Sequence, residues 1–197
     1  ENEVDMLKNF YMFFLVWSAG FFLPLATMIS LGSILDSSVL MSLGYILPHF
    51  FAFVSVGYLW KVQSSINFPG LQKLFWLFVG YGAVAVAYGL LQMPEVTVSG
   101  AGMDYGDSLF SVLIPAGMTS SAVLISGSSF YSAYLPEGDT SKKLVLIGIG
   151  TILALVVASM LTNIGYELLG QLENLLGTGL FLQVVVCKKS TDKMHTY

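Results

Sequence analysis

Residues 38–61 read SVLMSLGYILPHFFAFVSVGYLWK, an apolar run that meets no Asp, Glu, Lys or Arg until Lys61 closes it. A helix needs ~20 mostly apolar residues to cross the hydrocarbon core of a bilayer, and this run is long enough. Its end, Tyr58-Leu59-Trp60-Lys61, places aromatic rings and an ammonium group where the headgroups begin, the anchor expected of an inner interface. Runs of the same kind cover residues 9–31, 71–91, 108–134 and 144–166, with a shorter one at 172–187. The spacing therefore predicts an all-α polytopic membrane protein, a bundle of six transmembrane helices at 9–31, 38–60, 71–91, 108–134, 144–166 and 172–187.

Composition points the same way. Of 197 residues 55% are hydrophobic and 10% charged, and the mean hydropathy is +0.77, outside the range of soluble globular chains. Six spans use most of the length, so residues 1–197 read as a single transmembrane domain with no soluble domain. The turns between spans are short. Gly32-Ser33 with Asp36-Ser37, Asn67-Phe68-Pro69-Gly70 and Pro136-Glu137-Gly138-Asp139 have turn chemistry. Residues 93–107 form the longest polar connection, in which Val96-Thr97-Val98 suits a short extended stretch or a segment lying flat on the outer surface.

Lysine placement sets the orientation. All eight basic residues are lysines, at positions 8, 61, 73, 142, 143, 188, 189 and 193, and six spans put every one on the same side. The opposite connections carry Asp36, Glu95, Asp104, Asp107, Glu167 and Glu173 and no base. Basic residues beside spans stay cytoplasmic, so both termini are expected in the cytoplasm, with the protein in a plasma or inner membrane. The absence of Arg excludes voltage-sensor arrays and bidentate arginine clamps. No basic cluster is dense enough for nucleic acid. A lone Cys187 permits neither an intrachain disulfide nor a cysteine metal cage. The acidic start, Glu1-Asn2-Glu3-Val4-Asp5, lacks the pattern of a secretory signal.

His49 is the one ionisable side chain deep in a span, and such a group is a functional candidate by position. Imidazole at that depth suits a proton relay, a quinone contact or a metal ligand. It suits equally a neutral ring hydrogen-bonded to a nearby carbonyl. Counting removes the larger cofactor classes. The second histidine, His195, lies in the tail, so a bis-histidine haem or a histidine-rich metal site cannot form within the spans, and no span holds a lysine for retinal. No cofactor is implied beyond contact with lipid or quinone.

The run at 108–134 is the most hydroxylated, and its Thr119, Ser120, Ser121 and Ser128, with His49 and Asn163, are the candidates for a solute path. Helix packing through small and hydroxylated residues explains the same serines. Asp104, Asp107, Glu167 and Glu173 are the candidates for an outer mouth that attracts cations, or are solvated loop acids. Gly127-Ser128-Ser129 invites comparison with rhomboid proteases, which pair a serine in span four with a histidine in span six. No histidine lies in 172–187, and a serine without its base is not an activated nucleophile. The expected function is thus non-catalytic: an accessory or anchoring subunit of a larger membrane complex, or a sensory membrane module. The alternative is a small channel or carrier for a neutral solute, proton or cation. Lipid and other membrane subunits, or further copies of this chain, are the expected partners.

Overall fold

The computed structural model describes residues 2–99, 102–104, 108–134, 139–157, 176–177 and 179–180. Among the described residues four helices are long and apolar enough to cross a membrane: Val4–Ile34, Ser38–Ile66, Pro69–Gln92 and Leu109–Ala133. They coincide with the first four expected spans, the first starting earlier at Val4 and the second running on to Ile66. The fifth expected span is helical as far as Val157, and its remainder lies outside the described residues. So does the sixth, 172–187, apart from residues 176–177 and 179–180. The chain divides into two compact units, Glu1–Met118 and Thr119–Tyr197.

The first unit begins with one long helical rod. α1 (Asn2–Leu15) widens into a π-helical segment, Val16–Phe22, before α2 (Leu23–Ile34) resumes the ordinary turn. Pro24 explains the widening. Proline has no N–H to offer the carbonyl four residues back, and its ring crowds that carbonyl. The Leu23 N–H instead reaches back five residues to the Ser18 carbonyl, which loosens the turn that Pro24 would otherwise strain.

α2 stops in a tight reversal. Asp36 takes the left-handed conformation, φ 49°, which Asp tolerates better than most residues. The Ser37 N–H then bonds the Gly32 carbonyl at 2.8 Å, the six-to-one closure of a Schellman turn. Ser37 also caps the next helix, its hydroxyl accepting from the Leu40 N–H at 3.3 Å.

α3 (Ser38–Ile46) and α4 (Pro48–Asn67) make the second rod, with Leu47 at the joint. Pro48 sits in the first turn of α4, where a missing N–H costs nothing, and the Phe50 N–H closes on the Leu47 carbonyl at 3.2 Å. A 3₁₀ turn, Pro69–Leu74, leads into α5 (Phe75–Gln92). Beyond it an antiparallel hairpin pairs β1 (Thr97–Ser99) with β2 (Gly102–Asp104), in the register Thr97↔Asp104, Val98↔Met103, Ser99↔Gly102. The extended stretch expected around Val96-Thr97-Val98 is therefore present.

α4 is the centre of this unit, packed by α1 and by α5. Ala52, Phe53, Val56, Leu59, Trp60 and Val62 along it are buried. Lipid tails are as apolar as leucine, so helices in a membrane associate through close fit rather than through escape from water. Gly82 on α5 supplies such a fit. A Cβ there would stand 2.7 Å from the Phe53 Cβ, so only glycine lets the two backbones approach this far. The opposite face of α5 is open and apolar, with Trp76 70%, Val84 68% and Leu91 84% exposed.

α6 (Leu109–Ala133) starts in the first unit and ends in the second, with Pro115 inside it. In the second unit α7 (Asp139–Thr151) passes into another π-helical segment, Ile152–Val157. The Ser126 hydroxyl donates to the Gly148 carbonyl of α7 at 3.0 Å, and Gly148 lies against the Phe130 ring. These contacts join α6 to α7.

Candidate functional site

His49 is the second residue of α4, one place after the proline that starts it. Its Nδ1 lies 2.5 Å from the Tyr45 carbonyl oxygen, one turn earlier. A carbonyl only accepts, so Nδ1 carries the hydrogen and, in the neutral ring, Nε2 keeps its lone pair. Tyr45 lies in α3's last turn, four residues before His49, which puts its carbonyl within reach of the imidazole.

Three aromatic rings wall the imidazole edge to face. Phe21 stands 5.3 Å away at 67°, Tyr45 4.9 Å away at 75° and Phe110 5.7 Å away at 90°. Tyr45 and Phe110 also meet each other at 5.5 Å and 83°. Each ring comes from a different local cause. Phe21 is turned inward by the π-helical segment, which also brings Trp17 to 5.7 Å from Phe22, five residues on. Tyr45 belongs to the last turn of α3. Phe110 is admitted by Gly89 on α5, where a Cβ would fall 2.6 Å from its ring. An edge-to-face pair contributes about 0.5–1.5 kcal/mol beyond area burial. Three such pairs and one backbone hydrogen bond account for a histidine at this place by packing alone.

Ser42 fixes the same end of the bundle. Its buried hydroxyl lies 2.9 Å from the Ser38 carbonyl and 2.7 Å from the Pro94 carbonyl, tying α3 to the residue after the left-handed Met93 (φ 42°) that ends α5. Sequence reading had no signal for this contact, which joins positions 52 residues apart.

The hydroxyls of α6 do not all share one wall. Ser121, Ser128 and Ser132 are spaced to lie on one face. Thr119 and Ser120 precede Ser121 directly and so turn away, Thr119 half-buried and Ser120 exposed. Ser128 donates to its own helix at the Ile125 carbonyl, 2.9 Å away. Ser129 and Ser132 are fully buried, and neither hydroxyl has a partner among the described residues.

Of the candidate outer acids, Asp104 lies in β2, its backbone opposite Thr97. Asp107, Glu167 and Glu173 lie outside the described residues, as does Asn163. Among the described residues no three His, Cys, Asp or Glu side chains stand together as metal ligands do.

Two features escaped the sequence reading. The π-helical segment was foreshadowed by small residues, Ser18-Ala19-Gly20, just ahead of Pro24. Gln63 on α4 is fully buried, and both its amide oxygen and nitrogen lack partners among the described residues. An unmet amide in an apolar interior is costly, and nothing in the local sequence marks it.

No protein-family model matches the chain, and no curated protein or solved structure matches it. What the fold itself shows is a helical chain that carries, among the described residues, four helices long and apolar enough to cross a membrane.

Proposed function

We propose that this chain is a non-catalytic integral membrane subunit, which anchors or completes a larger membrane complex. In this reading six spans cross a plasma or inner membrane with both termini cytoplasmic, and the partners are other membrane subunits or further copies of the chain. A sensory membrane module belongs to the same class. The observation that carries the reading is how the polar groups of the helices are spent. His49 bonds Tyr45, Ser55 bonds Ala52, Ser128 bonds Ile125 and Thr151 bonds Ile147, each within its own helix or rod. Large apolar side chains such as Leu23, Trp76, Val84 and Tyr131 stand on the outside. That division suits a scaffold that packs against neighbours. Extraction in mild detergent should bring defined partners or a homo-oligomer through purification, read by mass spectrometry and native gels. A clean monomer in every mild detergent would count against the proposal.

The unpartnered Ser129 and Ser132 favour a second reading, a small channel or carrier for a neutral solute, proton or cation. In that reading the path runs by His49, Thr119, Ser120, Ser121, Ser128 and Asn163, with Asp104, Asp107, Glu167 and Glu173 at an outer cation mouth. Liposomes holding the purified protein should then show a flux that His49→Leu or Ser121→Ala diminishes. Leakage unchanged by those substitutions would remove it.

A further inference from the structure

We infer that the connection between α4 and α5 is a seat for an anionic phospholipid, with Lys61 and Lys73 holding the headgroup phosphate and the open face of α5 receiving the acyl chains. Lys61 is held in place: its Nζ stands 4.0 Å from the Phe75 ring centroid and 5.3 Å from that of Tyr58. Rings attract the ammonium charge but take none of its hydrogen bonds as an oxygen would. The turn beside it is pinned as well, since the Trp60 indole N–H donates to the Leu71 carbonyl at 2.8 Å. Lys73 lies two residues beyond that pin and is exposed. The chain has no Asp or Glu between Asp36 and Glu95, and both of those acids lie beyond the far ends of the rods. Among the described residues neither ammonium group pairs with a carboxylate, and a phosphate is their natural complement.

The surroundings favour lipid over an acidic peptide. Trp76 and Leu77 follow Lys73 by three and four residues, the spacing of one helix face, and both are largely exposed. From there the apolar surface continues away from the lysines through Val84 to Leu91. A charged end with a long apolar strip below it has the shape of a phospholipid. Indole rings at that depth sit where headgroup meets hydrocarbon. The seat rests on the membrane class alone and stands or falls apart from the subunit proposal.

Trp76 is a built-in reporter, because Trp17 and Trp60 are buried. Full-length protein in vesicles of phosphatidylcholine containing a minor fraction of chain-brominated phosphatidylglycerol should lose Trp76 fluorescence beyond the level set by mole fraction. In the mirror mixture, brominated phosphatidylcholine should quench less than its mole fraction. Lys61→Gln and Lys73→Gln should each lower the preference about fivefold, the worth of one basic side chain at an anionic surface, while Lys73→Arg retains it. Lys142→Gln with Lys143→Gln should leave the preference unchanged. Quenching that follows mole fraction in the unaltered protein would overturn the seat. An equal loss on replacing Lys142 and Lys143 would overturn it too, by reducing the effect to general surface charge.

Discussion

The two ends of α4 are built on opposite terms. At its start, around His49, the imidazole Nδ1–H meets a carbonyl, the Ser42 O–H has two carbonyls within reach, and glycine faces aromatic ring at Gly89 and Phe110. Towards its other end Gln63 is as deeply buried as Phe53, yet its amide has no partner among the described residues. Both ends are dense. Density therefore does not reveal which end is finished, whereas the satisfaction of polar atoms does. The start of α4 is closed upon itself, and the end of α4 holds hydrogen-bonding capacity in reserve.

The sharpest way to break this contrast is to force the closed end open. Gly89→Leu drives a branched side chain into Phe110 and Ile46, and overpacking of this kind costs about 3 kcal/mol. Unfolding in mixed micelles should show that loss, and a loss under 1 kcal/mol would mean that the rings around His49 are loosely held. The opposite substitution probes the other end. Gln63→Leu removes two unmet polar atoms at nearly constant volume, so stability should rise by about 1 kcal/mol. A clear fall would reveal that the amide is matched, and the two ends would then be alike. Ser42→Ala is the mildest change, deleting one buried hydroxyl that ties α3 to Pro94. It should cost about 1 kcal/mol or slightly less, and faster hydrogen exchange confined to residues 93–99 would locate the loss.

How much of this was legible in the sequence depends on the range of the physics involved. The long apolar helices were legible because a long run without charge is a local property, and four helices long and apolar enough to cross a membrane overlap residues 9–31, 38–60, 71–91 and 108–134. The extended stretch at Thr97 was local too. His49 stood out because ionisable groups are rare at that depth. Its setting did not, since Phe21, Tyr45 and Phe110 come from three separated segments and meet only after folding. Gln63 was overlooked for a related reason: an amide at one end of an apolar run looks like interface chemistry until its burial is known. Thr119, Ser120 and Ser121 form one polar cluster in print, but consecutive helix positions point in three directions.

The widened turn at Val16–Phe22 has a bearing on how the first rod is compared with any other helix. A π turn accommodates an additional residue, so α1 and α2 run out of phase by roughly one position, which on an α-helix is an azimuth of about 100°. A helical wheel drawn straight through residues 9–31 therefore assigns the wrong side to one half of the rod. Alignments across this region should open a single-residue gap near Ala19, and designs that graft either half should treat the two as separate helices sharing an axis.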